Sequence, residues 1–94
     1  MSRHWYRVYY EFNGRTKGDP FRTEKTKEQI DDALGRVEFE LSVILDDDAA
    51  RISTSPESAK SIILMVETTK PDETVLLSMK SCLNGLDLFA TSLE

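Results

Sequence analysis

The chain is poor in the residues that build metal centres and catalytic sites, with one cysteine and one histidine among 94 residues. Cys82 alone cannot close an internal disulfide, so a reducing compartment is the simplest interpretation. One cysteine and one histidine cannot supply an ordinary zinc site within one chain. A serine or cysteine nucleophile would have to use His4, and no glycine-elbow motif surrounds a serine. We therefore predict a non-enzymatic protein without metal or cofactor.

Long apolar runs and phosphate-binding motifs are also missing. No apolar stretch approaches the roughly 20 residues that span a bilayer. The first ten residues have no apolar core followed by a small-residue cleavage site, so we expect no signal peptide. The loop Gly14–Gly18 has neither the Walker nor the GxGxxG spacing, which favours a hairpin loop over a phosphate site. We expect a cytoplasmic protein, in the host cytoplasm if it is viral, without membrane contact.

The charge is divided unevenly along the chain. With 39% hydrophobic and 31% charged residues, the composition is that of one folded domain across residues 1–94. Residues 1–28 carry seven basic and four acidic side chains, whereas residues 29–94 carry five and thirteen, which gives the net charge of −5. A uniformly basic nucleic-acid binder is not expected from this distribution.

Aromatic and β-branched residues at His4–Phe12 predict a first strand. Alternation places Tyr6, Val8, Tyr10 and Phe12 toward the core, and Trp5, Arg7 and Tyr9 outward. Asn13-Gly14 predicts a turn, and residues 21–23 are left open as a short second strand.

Helical spacing predicts two helices separated by a pair of strands. A capping box at Thr26–Gln29 begins a helix over Lys27–Leu45, with Gly35 predicted to permit close packing. Its apolar stripe is Ile30, Leu34, Val37, Leu41, Ile44 and Leu45. Ala50–Thr54 and the apolar run Ser61–Thr68 predict a hairpin. A last helix begins near Pro71, with a stripe from Val75 through Leu86, Phe89 and Ala90 to Leu93, unless Gly85 breaks it.

These elements predict an α+β fold, a small two-layer sandwich of order β(β)αββα. We expect a mainly antiparallel sheet, covered on one face by the two helices.

The first candidate surface is the outward side of strand one, where Trp5, Arg7 and Tyr9 are flanked by Arg3 and Arg15. Interleaved aromatic and basic residues on a strand can stack bases and hold phosphates. The alternative, which we favour, is that Trp5 and Tyr9 pack beneath a loop or a dimer partner, since such residues are enriched at protein interfaces.

The second candidate surface is acidic and lies on the first helix and the turn after it. Its members are Asp31, Asp32, Glu38, Glu40, Asp46, Asp47 and Asp48. Carboxylates on a rigid helix can engage a basic partner, while a solvated helix face is the ordinary alternative. Adjacent carboxylates seldom converge on one cation, so the aspartate run is not interpreted as a metal site.

Met79-Lys80-Ser81-Cys82-Leu83-Asn84-Gly85, after a strand and a short acidic turn, resembles the last helix of the small dimerisation subunit of the KEOPS tRNA-modification complex. The resemblance covers about a third of the chain, and Lys80 stands where that family usually has arginine. The first strand and its loop do not match. The resemblance implies a dimerising scaffold subunit of a larger complex, and our predictions do not depend on it.

We predict a regulatory or inhibitor protein that binds another protein with a basic surface, one version being an inhibitor encoded by a phage or mobile element. A homodimer remains open. The second hypothesis is a nucleic-acid-binding module that uses strand one. Neutralising Asp46, Asp47 and Asp48 would separate a binding surface from a solvated corner, because charge clusters mainly govern association rate and partner choice.

Overall fold

The computed structural model describes residues 2–12, 23–46 and 50–93, and this part of the chain forms four strands and two helices. The elements in chain order are β1 (Ser2–Tyr10), α1 (Lys27–Leu45), β2 (Arg51–Ser58), β3 (Ser61–Thr68), α2 (Asp72–Leu83) and β4 (Leu88–Ser92). The predicted turn at Asn13-Gly14 and residues 21 and 22 of the predicted second strand lie outside the described residues. Thr23 has no regular secondary structure.

The four strands form one sheet in the order β2-β3-β1-β4, and every neighbouring pair is antiparallel. The units β1-α1-β2 and β3-α2-β4 each enclose a strand of the other unit between their own two strands. This interleaving is the split β-α-β arrangement of ferredoxin-like folds. The predicted α+β sandwich with an antiparallel sheet and two covering helices is confirmed.

The last element differs from the prediction. We predicted a helical stripe through Leu93 and left open whether Gly85 breaks the helix; α2 ends at Leu83 and the chain returns as β4 beside β1. Gly85 and Asp87 both have left-handed backbone angles, with φ of 82° and 58°. Left-handed residues after a helix end it, so the apolar residues beyond Gly85 belong to a strand.

The N-terminus of α1 has the predicted capping box. The Gln29 amide donates to Thr26 Oγ1 at 3.3 Å, and the Thr26 amide donates to Gln29 Oε1 at 2.9 Å.

The core lies between the helices and the inner face of the sheet. The core residues are Tyr6, Val8, Tyr10, Leu64, Val66 and Leu88 from the sheet, Ile30, Ala33, Leu34, Val37, Leu41 and Leu45 from α1, and Val75, Met79, Cys82 and Leu83 from α2.

Three details of the predicted packing were wrong. Phe12 lies beyond the end of β1 and is exposed. Ile44 is exposed in the last turn of α1, where Leu45 takes the buried position. A Cβ added at Gly35 would meet nothing within 4 Å, so this glycine does not permit a close contact. Within the described ranges, neither helix is long and apolar enough to cross a membrane.

Candidate interaction surface on the open face of the sheet

The side of the sheet away from the helices collects every second residue of β1. In the register of the sheet, Trp5 lies opposite Met65, Arg7 lies between Ile63 and Thr91, and Tyr9 lies opposite Phe89. Directly opposed residues of antiparallel strands share a face, so these side chains form one surface. We call this surface the open face; its apolar members are Trp5, Tyr9, Ile63, Met65 and Phe89.

The open face carries aromatic side chains that are partly accessible to solvent. Trp5 and Phe89 retain 39% and 38% of their accessible surface, and Tyr9, Ile63 and Met65 are half-buried. The Tyr9 and Phe89 rings stack with centroids 5.7 Å apart and planes 29° apart. The sheet register therefore holds two apolar pairs on this face, Trp5 with Met65 and Tyr9 with Phe89, and the row of Arg7 and Ile63 lies between them.

The open face also carries two ion pairs, one beside Trp5 and one between Trp5 and Tyr9. Arg7 Nε donates to both carboxylate oxygens of Glu57, at 2.8 and 3.0 Å, and Arg3 Nε donates to Glu67 at 3.0 Å. The bond from Arg7, followed by one from Ser61 Oγ, lowers the pKa of the Glu57 carboxyl, and Glu57 in turn raises the pKa of Arg7. Of the three arginines predicted for this surface, Arg3 and Arg7 lie there, each bound to a carboxylate, and Arg15 lies outside the described residues.

This combination favours an apolar contact over a phosphate contact. Aromatic residues, methionine and arginine are enriched at protein interfaces. Phosphate binding relies instead on cationic side chains that displace the counterions of the nucleic acid. The two arginines described in β1 already contact carboxylates. The open face therefore has the chemistry of a protein-binding surface.

The predicted acidic surface is not one patch. At 3.6 residues per turn, Asp31 and Glu38 share a flank of α1, while Asp32 lies about 100° further round the helix axis. Asp32 Oδ2 lies 3.3 Å from Arg36 Nε, in an exposed ion pair one turn along the helix. Glu38 lines a hollow together with Gly35 and Phe39. Among the described residues, no other member of the predicted acidic surface lines this hollow.

Glu40 lies on the other side of α1, near Cys82 of α2. Asp46 ends α1 in a left-handed conformation, with φ of 48°, and is exposed. Asp47 and Asp48 lie outside the described residues. The acidic residues of α1 and the aromatic residues of β1 therefore occupy opposite layers of the sandwich.

The sequence analysis did not assign three residues to the open face: Ile63, Met65 and Phe89. Ile63 and Met65 sit in an apolar run that gives no sign of which side is covered. Phe89 was assigned to a helix because its spacing from Leu86 and Leu93 fits a helical stripe. The strand signal was the alternation in Leu88–Ser92, which becomes evident only when Gly85 ends the helix.

His4 is buried in β1 and faces the start of α2. Its Nδ1 lies 3.8 Å from Asp72 Oδ1, and the Tyr6 hydroxyl donates to the same carboxylate oxygen. This cluster ties the first turn of α2 to the central strand. The histidine is therefore held by regular structure.

Among residues 2–12, 23–46 and 50–93, no three His, Cys, Asp or Glu side chains come together in a group that could hold a metal ion. Comparison with protein-family models, with curated proteins and with solved structures finds no match to this chain. The argument for function therefore depends on the geometry of the surfaces themselves.

Proposed function

We propose that this chain is a non-enzymatic protein-binding protein, and that its partner packs on the open face of the sheet. The observation that carries the proposal is the set of three partly accessible aromatic side chains on this face, Trp5, Tyr9 and Phe89. The binding energy of a protein interface is concentrated in a few large residues, with Trp, Tyr and Arg prominent among them. Strand β1 presents all three types on the open face, as Trp5, Arg7 and Tyr9.

Because the open face is part of a sheet, binding a partner there costs little conformational entropy. Strand β1 is hydrogen-bonded on both sides, to β3 and to β4, so the side chains of Trp5 and Tyr9 start from a fixed backbone. Binding then loses less conformational entropy than it would on a loop. The ion pair of Arg7 lies between Trp5 and Tyr9 and that of Arg3 lies beside Trp5, where both would orient a partner through its polar groups.

We further propose a regulatory or inhibitory role, in which the bound partner is itself the functional molecule. The support is general: the chain is short, carries a net charge of −5 and presents an apolar surface. A partner with a basic surface suits that charge.

Single-stranded RNA is the second candidate, and one observation favours it. Some RNA-binding domains use aromatic residues on the exposed side of a four-stranded sheet to stack bases, and Trp5 and Tyr9 hold such positions on a central strand. The carboxylates of Glu57 and Glu67 beside the arginines oppose phosphate binding. We therefore rank RNA below protein.

The test compares affinity capture from the native host by the wild-type chain, by the double variant Trp5→Ser with Phe89→Ser, and by Phe12→Ser. Phe12 is an aromatic residue beyond the end of β1, 37% exposed and not a member of the open face, so it serves as the matched control. We expect partners captured by the wild type and by Phe12→Ser to be lost with the double variant, while all three proteins keep the same circular dichroism spectrum.

A parallel titration of labelled single-stranded RNA at low salt tests the second candidate. Binding that falls steeply with salt and is lost in Trp5→Ser would favour RNA, because phosphate contacts release counterions. Capture that is identical for all three proteins would contradict the open face as the binding surface.

A further inference from the structure

A second apolar surface lies on the opposite layer, in a groove between the two helices. Phe39, Glu40, Val43 and Ile44 of α1 line the groove together with Ser81 and Cys82 of α2, and its volume is about 230 Å³. Phe39 and Val43 are among the most exposed large apolar side chains described, at 71% and 61%. We call this the α1–α2 groove.

The apolar residues of the groove are not part of the core stripe. The stripe of α1 that faces the sheet contains Val37, Leu41 and Leu45, all buried. Phe39 and Val43 lie one turn apart on a different side of the helix, where side chains usually meet water. Leu77, 66% exposed, lies one turn before Ser81 on α2 and extends the apolar area.

The border of this groove is acidic. Glu40 is the one charged residue among the described residues that line it. Glu40 and Cys82 line the same groove, and the pKa of the Cys82 thiol is raised by burial and further by the carboxylate of Glu40. Asp46, the exposed C-cap residue of α1, follows two positions after Ile44. The C-terminus of a helix adds partial negative charge at the same end.

We propose that the α1–α2 groove binds an amphipathic helix with basic residues beside its apolar stripe. Leucine-like anchors at i, i+3 or i+4 and i+7 would contact Phe39, Val43 and Ile44, and lysine or arginine would approach Glu40. An extended segment fits less well, because the flanks of two helices have no free backbone groups to pair with a strand. A helix satisfies its own backbone and needs only apolar contact and charge.

This site is separate from the one proposed on the open face, since the two lie on opposite layers of the sandwich. With both occupied, the chain would join two partners. The groove proposal does not depend on the partner of the open face, and each surface has its own variants.

The test uses a fluorescein-labelled helical peptide of about 15 residues, made of leucine and lysine with leucine at helical spacing. One control peptide has the same composition in scrambled order. A second control peptide has glutamate in place of every lysine. We expect the first peptide to bind with a dissociation constant in the micromolar range, and both controls to bind at least about tenfold more weakly. Amide chemical-shift changes should map to Phe39, Val43, Ile44 and Cys82.

Three variants locate the site. Phe39→Ser with Val43→Ser should weaken the peptide at least about tenfold, Glu40→Gln should weaken it in a salt-dependent way, and Trp5→Ser should leave it unchanged. Equal binding of the scrambled peptide, or affinity unaffected by Phe39→Ser with Val43→Ser, would overturn the proposal as unspecific charge attraction. A dimer that dissociates in this double variant would also overturn it, because a second copy would then be the occupant.

Discussion

The two faces of strand β1 differ although their residues alternate along nine positions. On the inner face, Tyr6 and Val8 are fully buried and Tyr10 is 4% exposed. On the open face, Trp5 and Arg7 are exposed and Tyr9 is half-buried. Both faces contain tyrosine, so residue type alone does not separate them.

The difference shows which side chains folding uses and which it does not require. The inner face is covered by α1 and α2. Its side chains are closely packed, so a change in their volume changes the free energy of unfolding. The open face has ion pairs and stacked rings, but most of its side chains contact water. Large aromatic residues left on an uncovered sheet face are consistent with use in binding.

The largest expected effect compares Leu64 with its neighbour Ile63 on β3. Leu64 is fully buried on the inner face, so Leu64→Ala should cost about 2–5 kcal/mol of unfolding free energy. Ile63 is half-buried on the open face, and Ile63→Ala should cost clearly less. Urea denaturation of the two variants measures both values. Equal costs would mean that the open face is covered in the isolated protein.

A smaller effect compares two tyrosine hydroxyls of β1. The buried Tyr6 hydroxyl donates to the Asp72 carboxylate, so Tyr6→Phe should cost about 1.5–3 kcal/mol. Tyr9 lies on the open face, and Tyr9→Phe should change stability by less than about 0.5 kcal/mol. Thermal denaturation of both variants provides the comparison. A larger loss in Tyr9→Phe would show that the open face stabilises the fold.

Two glycines should respond in opposite directions to alanine. Gly85 has φ of 82°, and Gly85→Ala should cost about 1–2 kcal/mol through left-handed strain. Gly35 lies inside α1 with nothing near its missing Cβ, so Gly35→Ala should gain about 0.5–1 kcal/mol. Denaturant midpoints measured side by side give both signs. Stabilisation by Gly85→Ala would contradict the end of α2 and the start of β4.

The smallest expected effect is a pH dependence on the open face. Arg7 lowers the pKa of Glu57 in the folded chain, so the ion pair contributes above the unfolded pKa and is lost as the pH falls through the folded one. Comparing wild type with Glu57→Gln by urea denaturation from pH 7 down to about pH 3 isolates this contribution. Their difference should shrink on acidification, and a constant difference would exclude the ion pair as its source.

Local signals in the sequence predicted α1 and β3 to the residue. A capping box begins α1, and an uninterrupted apolar run defines β3. The final helix was overextended, because Leu86, Phe89 and Leu93 fit helical spacing as well as a turn followed by a strand. Only the backbone at Gly85 and Asp87 separates the two.

The candidate sites were predicted in part for a related reason. Trp5, Arg7 and Tyr9 were placed outward by alternation within one strand, which is local information. Met65 and Phe89 lie beside them because strands that are distant in sequence pair in the sheet, which is not local information. The α1–α2 groove depends on how two helices pack, so Phe39 and Val43 carried no sequence signal beyond their position off the core stripe.

Photo-crosslinking tests the central claim, that the open face contacts a partner, most directly. A chain with p-benzoylphenylalanine at position 5 is compared with chains carrying it at position 28, exposed in the first turn of α1, and at position 39 in the groove. After irradiation in the native host, the position-5 chain should form a discrete covalent adduct with a protein, and the position-28 chain should not. Adducts of equal yield at positions 5 and 28, or adducts at position 39 alone, would contradict the open face as the binding surface.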